Sequence, residues 1–586
     1  MVIAALLSIM HQNMSSFFPH RDHICLLTRV PQHISFGGFA VLAYTISPCI
    51  WVSVTSWYHN WSNDRRARKL SAIPIPRARG KWPGNIDIMF RFAKDLRTGY
   101  ALQAMNEILD EYNCETLNTR ILWKDNIISR NDIHIHAVHS TSFNSFERGP
   151  EQAEKMQTFL GRGIFVTDGE AWKQNRAMIR PFLGKERVSD FEIFAEHTDK
   201  VLSILSDALE SGSPIDAQDL FSRFTLDSGS DFLLGFCPDS LSAPRPIPFK
   251  ARIGPKGAAA DDEFGTFSRA FEEIQVTIAM RFRLGAFFPL YEFFGDRTLP
   301  DAKVITRWIK PVVEKALQDK AHEETVRYGL LNVLMAARDT TAALLTFTVY
   351  LLAMHPEVLQ RLRKEVLDVC GSSDNPTPAS ARKMTYSMPP FFLAIPHIPT
   401  YPPVTAVLNE TLRLFPPAPM GIRNATEEVL LPSSDGRTQL YFPRGARFTW
   451  LMLPPRARTS GAPTPTRSIP TVGLMSARRA IAPTLGCIFH SSLAPQCQAF
   501  ALSEASFMMA RLLQTFSGVE LVPDALPEGA RPPEAWKLGK GRQAIEKFWP
   551  NTAVTEYLKG GLWGELGLYG VIVSRRIFCH IQKGMK

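Results

Sequence analysis

The sequence predicts a mainly α-helical chain with small β-sheets, folded as one large domain behind an N-terminal membrane anchor. Three observations predict it. Apolar residues recur at three- and four-residue intervals from about residue 86 to 370, strand-like stretches are few and late, and an uncharged run separates Arg29 from Asp64. At 586 residues, 45% hydrophobic and 21% charged, the chain is too long and too apolar to be a disordered tail or a disulfide-knotted miniprotein. Its eight cysteines form no C-x-x-C pair, which points to neither a disulfide framework nor a zinc cluster.

Taken in order, residues 1–33 form an N-terminal segment and 34–58 the anchor. Ile34 to Tyr58 is long enough, at about 20 residues per crossing, to span a bilayer as one helix, the alternative being a buried core helix. Arg65, Arg66, Arg68 and Lys69 follow it, against only Arg21 and Arg29 before it, so the positive-inside rule places the C-terminal bulk in the cytosol. The apolar run is too long for a signal-peptide core and no small-residue cleavage site follows, which predicts a retained anchor. Residues 59–85 read as a basic and Pro-rich hinge, because Ile73 to Gly84 holds too much Pro and Gly for helix or strand. Phe191–Leu209 and Phe264–Ile278 read as amphipathic helices, and Gly329–Val369 as a long helical segment in which Pro356 is the only proline. Thr438–Phe442 reads as a hairpin arm, with Pro443-Arg-Gly445 as its turn.

Three local patterns could carry chemistry. In Leu330–Met354 an almost wholly apolar run is interrupted by Arg338-Asp339-Thr340-Thr341. As a membrane span it would put adjacent charges, which point about 100° apart on a helix, at mid-bilayer for about 2.5–3.5 kcal/mol each, so a core helix that buries a polar step is the better reading. Acid and hydroxyl in succession suit a proton relay, and a threonine inside a helix can bond back to the carbonyl four residues earlier; the alternative is a polar step that only contacts other helices. In Asn409–Pro417, Glu410 and Arg413 lie three apart on one helical face within apolar surroundings that favour burial, although most such pairs are solvated and contribute little. In Gly161–Arg176, Trp172 and Arg176 lie four apart, so an indole N–H and a guanidinium could together bind an anionic group; an amphipathic helix with a snorkelling arginine is the alternative.

In this order, W-x-x-x-R at 172–176, A-A-R-D-T-T at 336–341 and E-x-x-R at 410–413 resemble the cytochrome P-450 family of haem-thiolate monooxygenases. Phe224-Thr-Leu-Asp227 and Phe500-Ala-Leu-Ser-Glu-Ala505 add to the likeness, which covers roughly residues 86–448 and 498–563 of a catalytic domain placed at 86–563. The resemblance implies that Trp172 and Arg176 bind a propionate of haem b, that Asp339 and Thr340 deliver protons to bound dioxygen, and that Glu410 and Arg413 form a buried ion pair in the haem-side core. It also implies electrons from NADPH through a flavoprotein reductase (NADPH-cytochrome reductase), the membrane and an apolar small molecule as partners, and an endoplasmic-reticulum location with the catalytic domain in the cytosol. Where the family has Gly in A-G-x-D-T-T this chain has Ala337, whose methyl is expected to crowd the dioxygen groove. The Arg-Asp-Thr-Thr wording is most similar to fungal members that hydroxylate long-chain alkanes and fatty acids. A haem-thiolate isomerase or dehydratase that needs no dioxygen is a rival, against which the Asp339-Thr340 step argues.

The chain departs from the family where the iron ligand belongs. Haem-thiolate chemistry needs a cysteine thiolate. Aligning Gln498-Ala-Phe500 with the end of the family's C-x-G-Q-x-F puts Pro495 at the ligand position, and Cys497 is the nearest candidate, with Cys487 second. The net charge of +10 marks the same place. From Gly436 to Ser503 the chain has eight Arg, no Lys and no acid, so these 68 residues supply +8 of the +10 and the charge does not describe a nucleic-acid-binding protein. Residues 451–496 match nothing in the family although both flanks do. They read as a segment translated out of frame, 387–405 as a retained intron and 564–586 as an atypical tail; a real low-complexity loop is the alternative for 451–496. A haem-free or inactive product therefore stands as the second functional reading.

Overall fold

The computed structural model describes residues 38–180, 191–260, 262–316, 323–377, 404–433, 436–452, 494–539 and 541–567. The helices run in chain order as α1 (Gly38–Lys69), α2 (Ile86–Thr98), α3 (Gln103–Glu111), α4 (Asp132–His139), α5 (Pro150–Leu160), α6 (Gly169–Ile179), α7 (Phe191–Ser211) and α8 (Ala217–Leu234). They continue as α9 (Glu263–Leu284), α10 (Phe288–Tyr291), α11 (Leu299–Ala316), α12 (Glu323–Met354), α13 (Pro356–Cys370), α14 (Val404–Leu414) and α15 (Ala494–Thr515). The strands are short: β1 (Ile73–Pro74), β2 (Thr116–Asn118), β3 (Asn126–Ser129), β4 (Phe146–Glu147), β5 (Ile215–Asp216), β6 (Arg252–Ile253) and β7 (Ala258–Ala259). After α14 come β8 (Met420–Ala425), β9 (Val429–Pro432), β10 (Gln439–Phe442) and β11 (Arg447–Leu451), and after α15 β12 (Gly518–Leu521), β13 (Pro550–Thr552), β14 (Glu556–Leu558) and β15 (Trp563–Gly567).

The long helical segment ends as its proline dictates. Pro356 occupies the first turn of α13, where its missing N–H costs nothing, and so separates α13 from α12. Helix α12 has 32 residues, about 48 Å at 1.5 Å per residue, and forms the spine of the molecule. Its C-terminal half packs with α7, α8, α13, α14 and α15 through Leu344, Leu345, Phe347 and Tyr350, with Phe347 stacked on Phe415 at 4.1 Å. Its N-terminal half packs on α5, α9 and α11 through Leu330, Leu331 and Leu334. Side chains of this size contribute about 1.5–3 kcal/mol each on full burial. The apolar run 330–354 is thus a core helix. Among the described residues no single helix is long and apolar enough to cross a membrane; one bent pair, Val326–Met354 with Pro356–Cys370 at 114°, passes by length and composition.

The N-terminal boundaries differ from those expected. Helix α1 does not end at Tyr58 but continues to Lys69, so residues 59–69 are helix and not hinge. Arg, Ala and Lys are strong helix formers, and Arg66, Arg68 and Lys69 complement the negative end of the helix dipole. This end is fastened to the body: His59 Nε2 lies 2.7 Å from Asp125 Oδ2, and Arg120 Nη2 donates to Ser56 Oγ at 2.6 Å. Nor is the Pro-rich stretch free of sheet, since β1 pairs in parallel with β10 at Ile73–Leu440 and Pro74–Tyr441.

The small sheets carry a second correction. Strand β10 is a hairpin arm, but its antiparallel partner is the preceding β9. The turn at Pro443–Gly445 instead sends the chain into a different sheet, of order β2-β3-β11-β8-β4, in which β11 runs parallel to β3 and antiparallel to β8. The segments set apart by sequence also have folded edges. Leu451 closes β11, Val404 and Thr405 open α14, Ala494 opens α15, and residues 564–567 belong to β15, which pairs with β12 and β5, so the body extends to Gly567. Residues 387–403, 453–493, with Cys487, and 568–586 lie outside the described residues.

Candidate active site

The polar step of α12 is buried and answered from three other elements. Asp339 Oδ2 accepts from Lys256 Nζ at 3.0 Å, Gln275 Nε2 at 2.7 Å and Thr555 Oγ1 at 3.5 Å. Burial alone would raise the Asp339 carboxyl, but the charges of Lys256 and Arg338 and the hydrogen bonds from Lys256 and Gln275 hold it below the usual carboxylate range. Arg338 and Asp339, although adjacent on the helix and so pointing about 100° apart, approach one another. Their side chains curl to 3.8 Å, Arg338 Nη1 to Asp339 Oδ1, while Arg338 also donates to Ser268 Oγ and lies over the Phe271 ring. Thr340 Oγ1 donates to the Ala336 carbonyl at 2.6 Å, the back-bond expected of a threonine inside a helix. The extra methyl of Ala337 faces α8: a Cβ placed at Gly229 would come within 3.2 Å of it. Gly229 thus makes room on the α8 side for the methyl expected to crowd the groove.

Helix α6 presents the opposite situation. Arg176 lies over the Trp172 ring at 5.3 Å, so the two do share a face, and Trp172 also packs against Phe143 at 5.8 Å. Trp172 is buried, yet its Nε1 has no hydrogen-bond partner among the described residues. At the start of the same helix, Asp168 accepts from the backbone N–H groups of Arg148 and Gly149 and lies 3.6 Å from Arg148 Nη1. Arg148 and Arg423 are both depressed by burial, Arg423 to about 9, with the charge of Arg148 pushing it further down and Asp168 only partly offsetting. Burial and these two arginines hold His139 at about 3. An orphan indole N–H, with the positive charges of Arg148 and Arg423 near the start of the same helix and only Asp168 to offset them, fits an anionic group such as a haem propionate. Arg148 and Arg423 escaped the sequence reading because each stands alone in its segment and only the fold brings them to α6.

Helix α14 forms the expected bidentate pair, Arg413 Nε to Glu410 Oε2 at 2.8 Å and Nη2 to Oε1 at 2.6 Å. The expectation of full burial is not met among the described residues: the side chains are 16% and 29% exposed for Glu410 and Arg413. The apolar neighbours Leu408, Leu412 and Leu414 turn inward instead, leaving the pair at the edge of the core.

Helix α15 carries two residues of interest. Cys497 lies in its first turn, and the Cys497 side chain lies outside the described residues. Glu504, missed as a candidate although its motif was read, is fully buried and accepts from Ser228 Oγ on α8. Burial pushes its carboxyl up to about 8, only partly offset by the Ser228 and Thr341 hydroxyls, so it is neutral at pH 7. Its signal was in the sequence: it is the first acid after the acid-free stretch, inside an apolar helix.

The architecture is mainly α with small sheets, built around a long spine helix that carries the Asp339 carboxylate. Comparison with known proteins gives the family. The cytochrome P-450 family description matches residues 93–437. A cytochrome P-450 monooxygenase of Talaromyces variabilis, pvhE, is 28% identical over 505 residues, covering 78% of this chain and 86% of its own. Cytochrome P-450 52A13 of Debaryomyces hansenii is 27% identical over 477 residues, covering 75% and 85%. Cytochrome P-450 52-E3 of Starmerella bombicola is 29% identical over 529 residues, covering 84% and 95%. The chain belongs to the cytochrome P-450 family, whose members are haem monooxygenases.

Proposed function

We propose that this chain inserts one oxygen atom from dioxygen into a long-chain, apolar substrate of the alkane or fatty-acid type. It does so while held at the endoplasmic-reticulum membrane by residues 34–58, with electrons from NADPH supplied through a reductase. The step of buried Asp339 and half-buried Thr340 at the middle of α12 carries the reading. Haem supplies the electron-accepting and dioxygen-activating chemistry when bound. Trp172, Arg176, Arg148 and Arg423 would hold its propionates, and Cys497 is the proposed thiolate. Asp339 rests ionised against Lys256, so moving a proton requires it to exchange that partner for the Thr340 hydroxyl or for water. Thr340 spends its own hydrogen on Ala336 but keeps lone pairs free to accept, and it donates elsewhere only by breaking that back-bond. Incubation with reductase, NADPH, isotopically labelled dioxygen and a long-chain alkane tests this. A hydroxylated product bearing one labelled atom is expected, and unlabelled or absent product contradicts it.

One observation favours the second reading, a haem-free product: Pro495 stands where the family register puts the cysteine. Sequencing the transcript decides whether residues 451–496 are read in frame.

A further inference from the structure

The loop that follows α8 builds a cluster with no place in the monooxygenase reaction. Asp216 caps the start of α8 by accepting from the N–H of Gln218 and Asp219, and Gly235, with φ of 62°, ends it in the left-handed conformation open to glycine. The chain then doubles back, so that Ser240 and Leu241 donate their N–H groups to Asp227 at 2.9 Å each and Ser240 Oγ donates at 2.7 Å. This return places Cys237 beside His197 of α7. One ring nitrogen of His197, one carboxylate oxygen of Asp227 and the Cys237 sulfur lie within 4.8 Å of one another.

His197 and Asp227 are fully buried, whereas Cys237 is half-buried. His197 Nε2 is held by Asp231 Oδ2 at 3.1 Å, and its other nitrogen, Nδ1, is buried without a hydrogen-bond partner among the described residues. A histidine that gives one nitrogen to a carboxylate and keeps the other bare has the orientation found around metal ions. Asp227 accepts three hydrogen bonds and so retains one of the roughly four lone-pair sites of a carboxylate. Cys237 accepts one hydrogen bond, from the Asp239 N–H at 3.3 Å, and faces partly outward.

We propose that His197, Asp227 and Cys237 bind one zinc ion, with the ring oriented by Asp231 and a water completing the tetrahedron on the open side of Cys237. Nitrogen, carboxylate oxygen and thiolate sulfur are the donors zinc takes in four-coordinate sites, with ligand–ligand separations of roughly 3.5 Å, so the cluster needs to close by about 1 Å. Binding releases the Cys237 proton to solvent. The ion joins α7, α8 and the 237–241 loop, which makes it a structural clamp that is independent of haem.

The test uses the full chain in detergent micelles, equilibrated with Zn²⁺, passed through a desalting column and analysed for zinc by mass spectrometry. Wild type should retain one equivalent, Cys237→Ser should lose it, and Asp231→Asn should weaken it about tenfold, as loss of an orienting partner does elsewhere. Cys237 is half-buried and its one hydrogen bond, from the Asp239 N–H, can equally be accepted by a serine Oγ, so its serine variant should fold normally by far-ultraviolet circular dichroism. As a second readout, Zn²⁺ should slow alkylation of Cys237 by iodoacetamide, mapped by peptide. Wild type that retains no zinc, zinc retained equally by Cys237→Ser, or alkylation indifferent to Zn²⁺ would each overturn the proposal.

Discussion

The Asp339 carboxylate of α12 and the Trp172 N–H of α6 are both buried, but they are balanced in opposite ways. Asp339 is met by an ammonium, an amide and a hydroxyl from three separate parts of the chain. At α6, by contrast, the Trp172 N–H has no partner among the described residues, and the charges of Arg148 and Arg423 lie close enough to depress one another, with Asp168 only partly offsetting them. A buried group that is answered stabilises the fold as it stands, whereas a surplus of buried donors is costly until something anionic arrives. The Asp339 carboxylate is therefore answered within the polypeptide, whereas Arg338 Nε and Nη1 and Thr341 Oγ1 beside it are buried without a hydrogen-bond partner among the described residues. The α6 side, on the function proposed above, is completed by an anionic ligand.

The largest effect is expected at Lys256. Lys256→Met leaves Asp339 buried without its principal counter-charge and should destabilise the chain by about 3–5 kcal/mol in denaturant titrations. Asp339 is held below its ordinary pKa, so the stability it contributes is present at neutral pH and lost as pH falls through its folded value. The acid-induced loss should accordingly shrink in Asp339→Asn.

Glu504 shows the opposite sign. Its folded value of about 8 lies above the unfolded 4.5, so the native state binds more protons between these values and loses stability as pH rises through that window. Relative to wild type, Glu504→Gln should gain at most about 1.4 kcal/mol per pH unit from pH 4.5 to 8, and a difference flat with pH would contradict a buried neutral acid.

Trp172→Phe separates the two sides. Removing an unanswered donor should leave the haem-free chain as stable as before, while haem retention in a transfer assay with apomyoglobin weakens by about 1–3 kcal/mol. An equal loss with and without haem would mean that the indole N–H is answered within the protein. The smallest effect is expected at α14, where the half-buried geometry limits Arg413→Ala to about 1–2 kcal/mol by thermal denaturation.

What could be read beforehand follows from where the partners lie in sequence. Helices α7, α9, α12 and α13 declare themselves through local periodicity and Pro356, and Trp172–Arg176 and Glu410–Arg413 through spacing within one turn. Strand β1 could not be read because two residues become a strand only when Leu440 and Tyr441 arrive to pair with them. Lys256 and Asp339 are 83 positions apart, so the sequence shows the acid but not what answers it. The same holds for His197, Asp227 and Cys237, whose spacing matches no metal-binding pattern until Gly235 turns the chain back. Helix α1 was cut short because charge was read as a boundary, although arginine and lysine favour a helical C-terminus.

A haem held by the Cys497 thiolate is the central element of the proposed function, and the carbon monoxide spectrum of the reduced full-length chain tests it most directly. A strongly red-shifted Soret band that disappears in Cys497→Ala is the predicted result. No such band, or one that survives Cys497→Ala, would contradict it.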